Sequence, residues 1–427
     1  MLVQLLTALV VAQDSVRATQ TLELSTAYRV ASERSPRISA AHALADAART
    51  RIESATKPPD PQVQLGLMNY TLPGLRPMDV VGMTQLQIMQ MLPLPGKLGL
   101  AGRVATASAD AESERARDAN WSVRSNVAMV FYDLYAAERS IAIDRETLRL
   151  LTDILATAES MYRVGEARQV DVLRAQVEIA RMAQDTLRMK AMRTVMAARL
   201  NALLDRPADT PVASAELPLF PDSLPRLESL ITDAVANRPM VRAGERDVDA
   251  AISQTALAGR DVWPDLTVGF QLSRTGSFAS PERMGSLMIG ATVPVFARSR
   301  QLRMEDEAAA MQQMKTAELT AMRADTRGAV AEVYATLQRA HALTATYRTT
   351  VLPQAEAAAS SALIAYRSGA VDFMTLLDNR MGVNRYHTEV VELEASEGKA
   401  WAELEMLLGR ELFKPISAAG RVAAARN

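Results

Sequence analysis

Cysteine is absent from all 427 residues, which excludes disulfides, thiolate metal sites, cysteine nucleophiles and lipid attachment through an N-terminal cysteine. Aromatic residues make up only 4% of the chain. No sign of charge dominates: 48 basic residues stand against 49 acidic ones, for a net charge of −1. No field is therefore expected to draw in nucleic acid or an anionic surface. Past the first dozen residues no run of eighteen apolar residues occurs, so no helix is expected to cross a membrane and any crossing falls to a β-barrel. Catalytic signatures are missing too. His42, His341 and His387 are scattered without ligand spacing, and no HExxH, Walker A loop or nucleophile elbow is present. No enzyme activity, catalytic residue, cofactor or resident metal is expected.

Residues 1–20 begin MLVQLLTALVVA, an apolar run ending in small residues like the core of a secretory signal, but without the basic residues that precede one. A buried N-terminal strand or helix is the alternative reading. Elsewhere hydrophobic residues reach 48%, and Ala, Leu, Arg, Glu and Met crowd the chain as they do in long helices and coiled coils.

An internal duplication organises the sequence. Ser35-Pro36 matches Arg238-Pro239 and Pro61 matches Pro264, both 203 residues apart. Tyr162-Arg163-Val164-Gly165 matches Tyr366-Arg367-Ser368-Gly369, Leu173 matches Leu377, and Leu203-Leu204 matches Leu407-Leu408, all at 204. An offset that drifts by one residue over most of the chain marks two copies of one unit. The first repeat takes residues 21–204, with strands over about 62–71 and 81–92, a long helix over about 98–162 and a returning helix over about 168–204. The second takes 226–410, with strands over about 265–274 and 285–296 and helices over about 301–366 and 372–409. A connector with five prolines, residues 205–225, separates them, and 411–427 form a C-terminal tail.

The strands alternate. Leu266, Val268, Phe270 and Leu272 point one way and Thr267, Gly269, Gln271 and Ser273 the other. In the first copy Val63, Leu65 and Leu67 alternate with Gln62 and Gln64, while Met83, Met89 and Met91 share a face with Gln85 and Gln87. An ordinary sheet lying on helices would also alternate. Strands of about ten residues, however, are long enough to cross a bilayer when tilted, and four strands fall short of the roughly eight in the smallest membrane barrel, so a spanning form must oligomerise.

The long helix of the first copy carries Val123, Val127, Val130, Leu134, Ala137, Ile141, Leu148, Leu151, Leu155, Ala158 and Tyr162 in alternating steps of four and three, broken only at Asp144. That heptad seam specifies coiled-coil packing along a helix roughly 95 Å long. Its counterpart contains Pro353, where a kink is expected. Past Gly165 the returning helix offers Val172, Leu173, Val177 and Leu187 as its packing positions.

The duplication, the Leu92-Pro93-Leu94-Pro95-Gly96-Lys97-Leu98 junction, and the segments YRVGEARQVDVLRAQ (Tyr162–Gln176) and YRSGAVDFMTLLDNR (Tyr366–Arg380) together resemble TolC-like outer-membrane efflux proteins over nearly the whole chain. The resemblance implies a mainly α fold with a small β part. Long coiled-coil helical hairpins, duplicated, and two β-hairpins per chain would trimerise into a twelve-strand outer-membrane barrel and a twelve-helix periplasmic tunnel. It also implies partners: a periplasmic adaptor, an inner-membrane transporter of the RND type and outer-membrane lipid. By the same resemblance Asp171, Tyr366 and Asp378 become gate residues, and Tyr162, Arg163, Gly165, Arg367 and Gly369 become tip residues that meet the adaptor. Val371 and Thr375 depart from the family's arginine and aspartate, and Asp372 is a candidate substitute. Any of these acids could equally be a helix cap. The PLPGKL junction is similar to the heavy-metal branch, and 22 methionines invite a soft-metal reading against their usual use as helix filler. A type I protein-secretion duct shares the architecture, and a periplasmic coiled-coil scaffold without a channel fits the helices equally well.

Overall fold

The computed structural model describes residues 21–71, 73–78, 83–275 and 282–413; the signal-like segment and most of the C-terminal tail lie outside them. Helices α1 (Leu24–Arg34) and α2 (Pro36–Thr56) lead into strands β1 (Gln62–Met68), β2 (Tyr70–Thr71), β3 (Arg76–Pro77) and β4 (Met83–Leu92). Then come α3 (Lys97–Arg163), α4 (Gln169–Leu203), α5 (Leu227–Asn237), α6 (Pro239–Arg260), β5 (Asp265–Thr275) and β6 (Glu282–Thr292). The chain ends in α7 (Gln301–Thr346), a π-helical turn (Tyr347–Val351), α8 (Leu352–Arg367) and α9 (Phe373–Leu408).

Proline sets the matching breaks in the two copies. Ser35 and Arg238 take extended ψ angles of 119° and 123°, the conformation imposed on a residue before proline. Pro36 and Pro239 then open the next helix, where a missing N–H costs nothing. The first strand is shorter than its alternation suggests: Asn69 turns left-handed at φ 55°, a conformation asparagine tolerates, and the short β2–β3 pair takes over. In β6 the ladder ends at Thr292, before Pro294, which has no N–H to continue it.

Pro353 produces a π-turn where a kink was expected. Its ring would collide with the carbonyl of Thr349 in a regular helix and it cannot donate to that carbonyl. Five residues of wider helix absorb the misfit, with Leu352 N–H donating to the Tyr347 carbonyl.

The chain divides into two compact units. One takes residues up to Ala40, Arg117–Arg238 and those from Asp325 on. Its core gathers Leu24, Ala27, Tyr28 and Ala31 of α1 with Val127, Phe131 and Leu134 of α3, Leu200 of α4 and Ala402 of α9. Val123, Val127, Leu134, Ala137, Ile141, Leu151 and Ala158 of the seam are buried, whereas Tyr162 is 46% exposed. The seam's one acid, Asp144, is also buried, held by Asn384, and burial raises its pKa. The proline-rich connector is strapped down: Glu138 accepts from Ser214 Oγ (2.7 Å) and Ala215 N (3.0 Å), and Asn201 Nδ2 donates to the Thr210 carbonyl at 2.8 Å.

Helix α4 departs from its expected packing. Leu173, Val177 and Leu187 are 52%, 50% and 65% exposed, and Ala175, Met182, Met196 and Leu200 are buried instead. The helix carries two apolar seams, only one of which is covered by the described residues.

The other unit, Ala41–Ala116 with Pro239–Ala324, is assembled around small side chains. A methyl group added at Gly102 would come within 2.7 Å of Thr56 Cγ2, so a larger residue there would have to displace the Thr56 side chain. Arg323 binds Glu245 at 2.6 Å and Arg115 binds Asp247.

Candidate functional site

The four-stranded sheet, ordered β1-β4-β5-β6, lies in the second unit, and its register decides which side chains share a face. Directly opposed residues point the same way. One face therefore carries Val63, Leu65, Leu67, Leu86, Ile88, Leu266, Val268, Phe270, Leu272, Leu287 and Ile289. Every one of these is exposed, Leu65 at 73% and Ile289 at 74%. So much contiguous apolar surface is not left facing water in a soluble monomer.

The opposite face is polar and almost free of charge. Its rows run Gln62, Met89, Gly269, Met288; then Gln64, Gln87, Gln271, Ser286; then Gly66, Gln85, Ser273, Met284. Gln271 Nε2 donates to Gln85 Oε1 at 2.9 Å. Sequence alternation had placed Met83, Met89 and Met91 with the glutamines; the register adds Met68, Met284 and Met288 to the same face. The β6 alternation already held that signal, since Met288 falls in the polar set.

Lys97, from the junction motif, anchors the first strand-to-helix passage. Its side chain is 9% exposed and its Nζ reaches Asp265 at 2.9 Å, Asp261 at 3.4 Å and the Trp263 carbonyl at 3.2 Å. Asp265 also accepts from Leu94 N at 3.2 Å. The motif in copy one is thus fastened to the start of the strand in copy two. At the second passage Val293, Val295 and Phe296 are 67%, 80% and 74% exposed.

The helical tips lie in the first unit. Gly165 (φ 84°) and Gly369 (φ 71°) turn the chain through left-handed conformations that favour glycine. One core holds both hairpins: Leu151, Ile154 and Ala158 of α3, Ala175 and Met182 of α4, Tyr366 of α8, and Phe373, Leu376 and Leu377 of α9. Tyr366 is 4% exposed and lies edge-on to Phe373, with ring centroids 5.7 Å apart. Its hydroxyl has no hydrogen-bond partner among the described residues. Burial and then the charge of Asp171 raise its pKa, so the structure brings Asp171 and Tyr366 into electrostatic range.

Two of the candidate acids are caps. Asp171 sits at N3 of α4 and accepts from Arg168 N at 3.3 Å. Asp372 is the N-cap of α9, accepting from Thr375 Oγ1 at 2.5 Å and Thr375 N at 2.9 Å, and these bonds hold its carboxyl below the usual range. Thr375, which departs from the family pattern, is therefore the capping partner of Asp372. Asp378 is exposed on α9, and Arg163, Gly165, Arg367 and Gly369 are exposed at the turns.

The model of the family described as outer membrane efflux protein matches residues 27–206 and 230–410. The chain belongs to this family. Each matched stretch takes in one copy of the duplication, and membership makes the chain an efflux component of the outer membrane and not an enzyme. Among solved structures, it resembles VceC of Vibrio cholerae, with 18% identity, coverage of 91% of this chain and 97% of that one, and a TM-score of 0.77. For CusC the identity is 18%, the coverage 91% and 92%, and the TM-score 0.77. These likenesses support the helix-rich duplicated fold. Nodulation protein T of Rhizobium leguminosarum bv. trifolii is 22% identical over 187 residues, 43% of this chain; the match spans only 40% of that protein's length.

Proposed function

We propose that this outer membrane efflux protein is the exit duct of a tripartite system. Three copies close a twelve-strand barrel and a twelve-helix tunnel, docked to a periplasmic adaptor and an inner-membrane transporter of the RND type, and pass heavy-metal cations passively outward. The observation that carries this reading is the two-faced sheet. Its apolar face suits lipid, its polar face, charged only at the strand ends, suits an aqueous lumen, and β1 and β6, at the edges of the sheet among the described residues, are placed to pair with neighbouring copies. The uncovered seam of α4 supplies a second surface for a neighbouring copy. Asp171, Tyr366, Asp378 and Asp372 belong to the periplasmic gate in this reading, and Tyr162, Arg163, Gly165, Arg367 and Gly369 to the surface the adaptor meets.

The test is fractionation followed by native mass determination in mild detergent. A trimer recovered with outer membranes, conducting potassium in planar bilayers, supports the duct. A monomer in the soluble periplasmic fraction would refute it.

A further inference from the structure

We infer that the polar face of the sheet holds a binding site for a soft monovalent cation, formed by the thioethers of Met89 and Met288. The inference rests on that face lining the duct. Met89, Gly269 and Met288 are opposed across three neighbouring strands. A methyl group added to Gly269 would stand 3.3 Å from Met89 Cγ and 3.3 Å from Met288 Cε, so the two side chains converge over the bare backbone of Gly269. Gln87 Nε2 lies 3.9 Å from Met288 Sδ, which orients that sulfur among the glutamines.

Methionine used as filler is packed between other side chains. Met89 and Met288 are half-buried, on a face where Met68, Met91 and Met284 are 49%, 40% and 46% exposed, and the valine, leucine, isoleucine and phenylalanine side chains of the sheet are on the opposite face. A thioether on a wet wall has lone pairs to offer and no core to fill. Soft ions such as copper(I) and silver(I) accept such ligands, whereas hard divalent ions require oxygen donors and favour carboxylates. The described face has no lysine or arginine to repel a cation, and its acids, Asp265 and Glu282, lie at the strand ends. Softness, not charge, selects the ion. Two neutral sulfurs also bind weakly enough to release it, as a conduit requires.

The experiment uses the detergent-solubilised full chain and silver nitrate in chloride-free buffer. Peroxide oxidation of each methionine is followed by peptide mass spectrometry with and without silver. Expected is at least fivefold slower oxidation of Met89 and Met288, with Met304 and Met311 of α7, 45% and 53% exposed, unprotected. A Met89→Leu, Met288→Leu double variant is expected to lose at least tenfold in silver affinity, and excess magnesium is expected not to compete. No protection, equal protection of Met304 and Met311, or unchanged affinity in the variant overturns the site. Should the double variant fail to fold, protection in the unaltered chain decides. Potassium conductance of the unaltered chain separates the two readings: conductance without protection removes the cation site and leaves the duct, and protection without conductance removes the duct.

Discussion

Glu405 is 5% exposed, and its carboxylate accepts from Leu412 N at 2.9 Å and Phe413 N at 3.5 Å. Arg124 lies 3.9 Å away but is drawn to Glu411 at 2.9 Å. Burial is the larger influence and lifts the Glu405 pKa from 4.5 to about 6. An acid whose folded pKa exceeds its unfolded one binds its proton more tightly when folded, so Glu405 opposes folding above pH 6. That penalty fades as pH falls through 6 and is gone below 4.5. Glu405→Gln keeps an oxygen acceptor and deletes the charge. Thermal scans are expected to show the variant at least as stable as the parent at pH 7.5 and to gain less on moving to pH 5, by about 1 kcal/mol; parallel pH profiles would refute this. Lys97 makes the opposite case. Lys97→Met leaves Asp261 and Asp265 facing each other without their cation, and denaturant titration is expected to show a loss of about 2–4 kcal/mol. Its role was hidden in the sequence, because the carboxylates that hold it lie more than 160 residues away.

Among the elements, close approach governs where α9 crosses α3. A methyl group on Gly398 would stand 2.3 Å from the Tyr132 ring, and Tyr132 is fully buried. Gly398→Ala is expected to cost about 1–3 kcal/mol or more through displacement of the ring, read as a lower denaturation midpoint; an unchanged midpoint would mean that the helices can part freely. The elements were legible in the sequence to the extent that periodicity speaks. The proline breaks, the strand alternation and the seam of α3 follow from local rules. The π-turn was legible only as a disturbance at Pro353, because sequence shows where a hydrogen bond is lost but not how the helix redistributes the misfit. In α4 the pattern mixes two seams, and Leu173 and Val177 read as packing positions because periodicity identifies an apolar face without saying what covers it.

For the whole molecule, the exposed seam of α4 and the free edges of the sheet describe a chain built for company. For the proposed trimer, Leu173→Gln with Val177→Gln is expected to shift the equilibrium toward monomer by at least tenfold in native mass measurements, with the fold of the chain preserved by circular dichroism. A stable trimer would assign those residues to another surface. Asp378→Ala is expected to alter single-channel conductance or cation preference, and unchanged values would turn this exposed acid away from the tunnel. The gate assignment came from the family resemblance, and the local roles of its residues are what the structure adds. Tyr366 and Asp171 do come near each other, but Asp171 and Asp372 each cap a helix, a role that local sequence serves equally well. The two-faced sheet also has a consequence for biogenesis. Before it reaches lipid, each newly exported copy carries a wide apolar sheet face and two open strand edges through water, the features that template aggregation. In the proposed duct, that face and those edges must be shielded until lipid and neighbouring copies cover them, so the sheet constrains the route of assembly as much as the finished pore.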